Sequence, residues 1–364
     1  MSSDNYRGTT AINDRSPGGA PTAPRIVPHP EERYDVTTDR TAGLLVFEAS
    51  WTAMASALAA LPAHIVVAHA DGRLSCDTAT ATDLLSLVEG ALLDSRAWLS
   101  DAAPIFHDAI RRAPNLRWVQ SASSGFDAPF LRELADRGVA VSRTTVQSLG
   151  IAEFVMARLL SLFQREPERH ALQAARDWRA LPFREIHGTR WLIVGFGTIG
   201  RDIAIRAKAF GAEIVGMRRD PSPDPAADRI AHPERLSDEL AGADVVVLAL
   251  PLSDATRHMI DAAALAATKP DAVLINVGRG GLVDHYALIA ALDAGRPAHA
   301  ILDVAPLEPL PADDPLWSHP RVWMTAHASA YGDGLGNRAD RFALDNIRRF
   351  LVDGTPLNLV GARD

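Results

Sequence analysis

Three side chains with complementary chemistry lie in the C-terminal half of the chain: Arg279, Glu308 and His327. An arginine can hold a carboxylate through two parallel hydrogen bonds and polarise a neighbouring carbonyl group. A histidine transfers protons near neutral pH, and a glutamate beside it fixes the ring and stabilises the imidazolium. Each residue alone is commonplace, because loop arginines are usually solvated and single histidines usually pack. Together they suit proton transfer to the ketone of a 2-oxo acid.

Each of these side chains follows a short apolar run that predicts a β-strand. Six such runs alternate with helix-like stretches in this half of the chain, at residues 191–194, 214–217, 245–250, 273–276, 300–303 and 322–325. The pattern predicts a complete doubly wound dinucleotide-binding domain, a parallel sheet with helices on both faces. Because such sheets bind ligands at the carboxyl ends of their strands, we expect the three side chains to meet there.

A glycine-rich loop, GFGTIG at residues 195–200, directly follows the first of these strands and opens a helix over residues 199–210. In this context Gly195 permits a tight turn, Gly197 lets a pyrophosphate approach the backbone, and Gly200 lets helix and strand pack closely. The N–H groups at the start of the helix, at Thr198 and Ile199, face the phosphates. The alternative is a glycine turn that binds nothing, but the strand before it and the helix after it favour a dinucleotide site.

The end of the next strand indicates which dinucleotide fits. NAD sites usually place an acidic residue there, whereas arginine accommodates the 2′-phosphate of NADP. This chain has Arg218 and Arg219 at that point, which predicts NADP(H) as the preferred cofactor and NAD(H) as the second choice. A solvated charged turn, with Asp220 as the acceptor for the ribose hydroxyls, is the alternative.

The N-terminal half predicts a second α/β domain without a phosphate-binding glycine loop. Its strand candidates cover residues 43–48, 65–68, 115–121 and 138–142, and residues 84–93 fit a helix, a strand or both in turn. A chain of 364 residues is long enough for two cores. The last predicted helix, residues 338–351, follows the final strand, and we expect it to pack back on this first domain.

Composition narrows the function classes. The formal net charge of −8 argues against a nucleic-acid binder, which needs a basic face. Cys76 is the single cysteine and the histidines lack metal-binding spacing, so we expect no disulfide and no bound metal. The longest apolar runs have strand length rather than membrane length. Residues 1–40, rich in Ser, Gly, Pro and charge, predict a flexible tail rather than a signal peptide, and we expect a cytoplasmic protein.

Several segments resemble the signature blocks of the D-isomer-specific 2-hydroxyacid dehydrogenase family, and of its glyoxylate/hydroxypyruvate reductases in particular. These segments are LPLSDAT at residues 250–256, NVGRGGLVD around Arg279, LDVAPLEPLP around Glu308, and TAH ending at His327. The resemblance implies a Rossmann coenzyme domain, residues 147–328, inserted in a flavodoxin-like substrate domain of residues 41–146 and 329–364. It also implies a homodimer.

The resemblance further implies roles for single residues. Arg279 binds the substrate carboxylate and carbonyl, His327 is the acid–base, and Glu308 orients it. The backbone of a first-domain loop, formed by Ser123, Ser124 and Gly125, takes the substrate carboxylate, and Asp303 holds the nicotinamide carboxamide. Beyond the glycine loop, the expected cofactor site comprises Arg218, Arg219, Leu250, Pro251, Thr256, Val277, Arg279, Asp303 and His327.

The expected activity is NAD(P)-dependent reduction of a small 2-oxo acid such as glyoxylate or hydroxypyruvate. Alanines at 305 and 326, where the family commonly has Phe and Pro, and two serines in the 123–125 loop leave the substrate side chain open. Two rivals share the fold. A formate- or phosphite-type dehydrogenase is one, although the formate enzymes have glutamine where this chain has Glu308. The other is a binding protein that senses dinucleotides without turnover.

Overall fold

A computed structural model describes residues 42–78, 83–126 and 128–360 of the chain. The flexible tail expected at residues 1–40 lies outside these described residues. Two parallel-sheet domains make up the described part, as the sequence predicts. None of the helices in it combines the length and the apolar composition that crossing a membrane requires.

The first domain is built on a six-stranded sheet with the strand order β3-β2-β1-β4-β5-β6. Its strands are β1 (Ala42–Phe47), β2 (Ala63–Ala68), β3 (Leu74–Ser75), β4 (Val88–Leu93), β5 (Trp118–Ser121) and β6 (Ala140–Ser142). Only β3 runs antiparallel, at the edge beside β2. The five parallel strands have the flavodoxin-like order, with β1 as the second strand in space. The ambiguous segment 84–93 resolves into a 3₁₀ turn, Leu84–Leu87, followed by β4.

Helices cover both faces of this sheet because apolar residues face it from each side. They are α1 (Glu48–Ala59), α2 (Ser95–Trp98), α3 (Ala103–Arg112) and α4 (Pro129–Asp136), joined by the C-terminal α11 (Leu335–Val352). As expected, α11 packs back on the first domain. Its Ile347 is fully buried among Leu44 and Val46 of β1, and Phe350 stacks on Trp118 with ring centroids 4.8 Å apart.

The second domain contains a seven-stranded, wholly parallel sheet with the order β13-β12-β11-β10-β7-β8-β9. Its strands are β7 (Arg190–Val194), β8 (Glu213–Met217), β9 (Arg229–Ala231), β10 (Val245–Leu248), β11 (Val273–Asn276), β12 (His299–Leu302) and β13 (Val322–Met324). The predicted count of six is wrong by one, because β9 is a three-residue strand with an exposed arginine and carries no apolar run. The remaining helices are α5 (Ser148–Phe163), α6 (Glu166–Ala175), α7 (Thr198–Ala209), α8 (Leu236–Gly242), α9 (Ala262–Ala267) and α10 (His285–Asp293).

The order of the second sheet reverses between β7 and β10, which are neighbours. The loops after these two strands therefore leave the sheet toward opposite faces and open a crevice at its carboxyl edge, where doubly wound sheets bind their ligands. The glycine loop follows β7, and residues 249–251 follow β10. The predicted domain boundaries, at residues 146/147 and 328/329, stay a prediction.

We expect the variant Ile347→Ala to destabilise the protein by about 2–5 kcal/mol, since it leaves a cavity between α11 and β1. The free energy of unfolding in urea measures this. Arg348→Ala is the matched control on the same helix, because Arg348 is exposed. Equal stability of the two variants would contradict the burial of α11 against the first domain.

Candidate active site

The predicted His–Glu pair forms in the structure. Nδ1 of His327 lies 2.8 Å from Oε2 of Glu308, and the other carboxylate oxygen accepts the N–H of Ala305 at 3.0 Å. Both side chains are nearly half exposed, so the pair adds little to the stability of the fold. Its effect is orientation: with Nδ1 bonded to the carboxylate, Nε2 is the ring nitrogen left for proton transfer.

The backbone of His327 adopts a conformation that a side chain rarely takes, with φ at +51°. The left-handed region costs a non-glycine residue roughly 1–2 kcal/mol. Hydrogen bonds to Asp303 offset this cost: its carbonyl oxygen accepts the N–H of His327 at 2.7 Å, and its Oδ1 accepts those of Ala328 and Ser329 at 2.9 and 3.1 Å. Consecutive N–H groups that converge in this way form an anion-binding nest.

Asp303 is therefore a positioning residue for the loop that carries His327. The residue is 1% exposed, and its Oδ1 also accepts the hydroxyl of Thr325 at 2.6 Å. Sequence reasoning missed this role, although an aspartate at the end of a buried strand is a signal that something pairs with it. The expected contact between Asp303 and the nicotinamide carboxamide stays a prediction.

Arg279 is held by the loop after β11. Its Nη1 donates to the carbonyl oxygen of Gly278 at 2.8 Å. The side chain of Asn276 is 1% exposed and fixes the backbone of this loop. Its Nδ2 donates to the carbonyl oxygen of Arg279 at 2.9 Å, and its Oδ1 accepts the N–H of Gly278 at 3.1 Å. Asn276 is a second positioning residue that sequence reasoning missed, a buried amide at the end of an otherwise apolar strand.

Arg279 and His327 line one cavity of about 530 Å³, together with residues of both domains. The first domain contributes the predicted 123–125 loop and an apolar wall that includes Trp98 and Leu99. The predicted cofactor residues of the second domain in this lining are Ile199, Leu250, Pro251, Val277, Arg279 and His327. The cavity thus brings Arg279 and His327 into one space with the 123–125 loop, in which the N–H groups of Ser123 and Gly125 donate to the hydroxyls of Ser121 and Ser123, each at 3.1 Å.

The glycine loop fits a dinucleotide by its shape. A Cβ on Gly195, whose φ is +94°, would lie 2.5 Å from the carbonyl oxygen of Ala249, and one on Gly200 would lie 2.4 Å from that of Gly195. A Cβ on Gly197 would meet nothing within 4 Å. The turn therefore requires glycine at its two ends, while its middle faces open space at the start of α7. Such a helix N-terminus stabilises phosphate oxygens.

Arg218 directly follows β8, where the sequence places it, but its guanidinium contacts the turn that comes next. It donates to the carbonyl oxygens of Asp220 and Ser222 at 2.8 and 2.7 Å and to the buried carboxylate of Asp224 at 3.1 Å. Arg219 is exposed. Hydrogen bonds from Ser222 hold the pKa of Asp220 below its usual value and occupy one carboxylate oxygen. The turn is thus more ordered than a solvated loop.

Comparisons with known proteins indicate the family of this chain. The family model described as "D-isomer specific 2-hydroxyacid dehydrogenase, NAD binding domain" matches residues 156–329. An (S)-sulfolactate dehydrogenase of Chromohalobacter salexigens is 35% identical over 250 residues, which are 67% of this chain and 80% of the relative. The chain belongs to the D-isomer-specific 2-hydroxyacid dehydrogenase family.

Two further relatives of this dehydrogenase family bear on the site. A glyoxylate/hydroxypyruvate reductase B of Yersinia pestis is 33% identical over 283 residues, which are 74% of this chain and 85% of the relative. A solved 2-hydroxyacid dehydrogenase of Xanthobacter autotrophicus Py2, in complex with NADPH and MES, is 30% identical with a TM-score of 0.72. That likeness covers 89% of this chain and 99% of the other.

The structure brings Arg279, His327 with its partner Glu308, and the 123–125 loop together, whereas Thr256, Arg218 and Arg219 do not line the cavity. Thr256 bonds within its own loop: its hydroxyl donates to the carbonyl oxygen of Pro251 at 2.9 Å. Arg218 and Arg219 lie beyond it, past the end of β8. Their contacts with a dinucleotide stay predictions.

We expect His327→Gln to lower kcat by about 10²- to 10⁴-fold, because it removes the proton donor and keeps a polar side chain of similar size. The KM for the nicotinamide cofactor should change little, since the glycine loop is untouched. Steady-state kinetics measure both constants.

His285→Gln is the matched control for this variant. Nε2 of His285 lies 3.1 Å from Oδ2 of Asp314 in another His–carboxylate pair of the second domain, outside the cavity. Its kcat should stay near that of the unmodified enzyme. Near-normal turnover by His327→Gln would remove His327 from the chemistry.

Proposed function

We propose that this dehydrogenase reduces small 2-oxo acids to 2-hydroxy acids, of D configuration where C2 is a stereocentre, with glyoxylate and hydroxypyruvate as the leading substrates. The observation that carries the proposal is the shared cavity lined by Arg279, by His327, which is bonded to Glu308, and by the 123–125 loop. A 2-oxo acid needs one partner for its carboxylate and one for its ketone oxygen. Arg279 and His327 supply these two partners in one space.

The residues divide the reaction between them. Arg279 neutralises the substrate carboxylate and polarises the ketone, and the 123–125 loop lines the same cavity. A nicotinamide dinucleotide, when bound at the glycine loop, supplies the hydride for the ketone carbon. His327, protonated at Nε2, donates a proton to the ketone oxygen, and Glu308 stabilises the imidazolium before the transfer. In the oxidative direction neutral His327 accepts that proton.

The residues of this site support the two rival functions, a formate-type dehydrogenase and a dinucleotide sensor, less well. A formate-type enzyme needs no acid–base pair to protonate a ketone, whereas the Glu308–His327 pair is built in this chain. A dinucleotide sensor would bind the cofactor without turnover, and nothing about binding requires Arg279 and His327 in one cavity. A 2-oxo acid with a sulfonate is the second candidate substrate, because the sulfolactate dehydrogenase is 35% identical to this chain.

The substrate test follows loss of reduced-cofactor absorbance with glyoxylate, hydroxypyruvate, pyruvate and 3-sulfopyruvate, and its gain with formate or phosphite. We expect oxidation of NADPH with at least one of the 2-oxo acids and no reduction of NADP⁺ by formate. Arg279→Ala should lose more than 10²-fold in kcat/KM because the carboxylate clamp is gone. Tight cofactor binding without turnover of any acid would favour the sensor.

For the cofactor, we propose a preference for NADP(H), supported by arginines in place of an acidic residue after β8. We expect Arg218→Ala to raise the KM for NADPH by about 10- to 100-fold, as loss of a charge-assisted hydrogen bond does, and to change the KM for NADH little. Arg219→Ala tests the exposed neighbour separately. An unchanged ratio of the KM values for NADPH and NADH in both variants would contradict the role of these arginines in a preference for NADP(H).

The homodimer that the family resemblance implies also stays a proposal. It is supported by an exposed apolar segment after α6, where Trp178 is fully exposed and Phe183 is half exposed. A second copy that covered this segment would remove apolar area from water.

A further inference from the structure

The turn after β8 contains a buried carboxylate, that of Asp224, whose side chain is 4% exposed. Its Oδ1 accepts the N–H of Ala226 at 3.1 Å. Its Oδ2 lies 3.1 Å from Nη1 of Arg218 and 3.4 Å from Nε of Arg201. Arg218 directly follows β8, whereas Arg201 belongs to α7. One carboxylate oxygen therefore pairs with guanidinium groups from two different elements.

The apolar core fixes the position of this carboxylate. Ala226, two residues after Asp224, is buried in the cluster that includes Ile203 of α7. Prolines at 221 and 223 restrict the backbone that leads to Asp224. The carboxylate is thus a fixed point to which the longer and more flexible arginine side chains are attached.

Arg218 lies beside the glycine loop. The N–H groups of Gly195 and Phe196 donate to the carbonyl oxygen of Met217, the residue before Arg218, at 3.0 and 3.1 Å. The guanidinium of Arg218 also donates to two carbonyl oxygens of the turn. Among these three acceptors only the carboxylate of Asp224 carries a charge, so its attraction to the guanidinium is the strongest. Asp224 therefore contributes most to the direction of this side chain.

The formal charges of this cluster do not balance. Asp224 carries one negative charge, whereas the two guanidinium groups that contact it carry two positive charges. Arg219 and Asp220, which directly follow Arg218, cancel each other. The end of β8 therefore keeps one positive charge, at the point where dinucleotide-binding sheets recognise the 2′ position of the adenosine ribose.

This arrangement fits a 2′-phosphate better than a 2′-hydroxyl. NAD sites use an acidic side chain at this point to accept the ribose hydroxyls. Asp224 is unsuited to that task, because it is buried and both of its oxygens already have partners. A phosphate group, in contrast, accepts charge-assisted hydrogen bonds from guanidinium groups.

We propose that Asp224 is a positioning residue for cofactor choice, which holds Arg218 and Arg201 in the directions in which they bind the 2′-phosphate of NADP(H). The proposal rests on the cofactor preference proposed above and extends it to a buried acid and a second arginine. By its charge alone, a carboxylate beside an anion site weakens binding of the anion. Loss of its charge and loss of its orienting effect therefore change the affinity in opposite directions.

Titration calorimetry with ADP-ribose and ADP-ribose 2′-phosphate, two ligands that differ by one phosphate, tests the proposal without turnover. Asp224→Asn keeps the size of the side chain and an oxygen for the N–H of Ala226. We expect its affinity for the 2′-phosphorylated ligand to fall about 10-fold and its affinity for ADP-ribose to stay the same, because the arginines lose their charged anchor. In kinetics, the KM for NADPH should rise by a similar factor while the KM for NADH changes little.

Asp244→Asn is the matched control. Asp244 is another largely buried acid of the second domain that pairs with two cations, Arg184 and Lys269. It directly precedes β10, so it lies at the edge of the parallel sheet opposite to the end of β8. Its loss should lower the temperature of thermal unfolding and leave the ratio of the two ligand affinities unchanged.

Two further variants complete the test. Arg201→Gln changes a half-exposed side chain, and we expect about 5-fold weaker binding of the 2′-phosphorylated ligand and unchanged binding of ADP-ribose. In the double variant Arg218→Ala/Asp224→Asn, the second substitution should weaken binding less than it does by itself, because one of the arginines that it positions is gone. If Asp224→Asn does not fold, Arg201→Gln decides: an unchanged ratio of the two affinities overturns the proposal.

The outcomes separate this proposal from the function on which it rests. If Asp224→Asn changes both affinities equally or neither, Asp224 only stabilises the turn and the proposal is overturned. If this variant binds the 2′-phosphorylated ligand more tightly, the charge of Asp224 opposes the phosphate and the proposal is likewise overturned. If the unmodified protein binds the two ligands equally, the preference for NADP(H) fails together with this proposal, while the reduction of 2-oxo acids stands.

Discussion

The candidate active site depends on one buried carboxylate, that of Asp303, which follows β12. A buried charge is expensive unless hydrogen bonds surround it, and here the donors come from one loop: the hydroxyl of Thr325 and the N–H groups of Ala328 and Ser329. The loop cannot relax without leaving that charge unsatisfied. His327, in the middle of the loop, is therefore held in a left-handed conformation that points its ring at Glu308.

The neighbouring strand, β11, also ends in a buried polar residue that positions a loop. Asn276 at the end of β11 uses its buried amide to fix the loop that carries Arg279. Each functional side chain thus rests on a buried polar residue at the end of its own strand or the adjacent one, and the parallel register brings those ends to one edge. The His–Glu pair itself stays nearly half exposed.

The sequence predicts the regular parts well because they follow from periodicity and spacing. Apolar runs locate the central strands, and the GFGTIG loop between a strand and a helix predicts the dinucleotide site. Short polar elements such as β9 are not predicted, because three residues are too few to show a hydrophobic period. The sequence also does not predict the positioning roles of Asp303 and Asn276, because these roles depend on which backbone groups the fold brings close to the two side chains.

The most direct test of the central claim follows the hydride from the cofactor to the product. NADPH carrying deuterium at both C4 positions of the nicotinamide is incubated with the protein and each 2-oxo acid, and the product is analysed by mass spectrometry and chiral chromatography. We expect glycolate from glyoxylate, or a D-2-hydroxy acid from a larger 2-oxo acid, with one deuterium at C2 and formed one-for-one with oxidised cofactor. A product without deuterium at C2, or bound cofactor and no product with any acid, would contradict it.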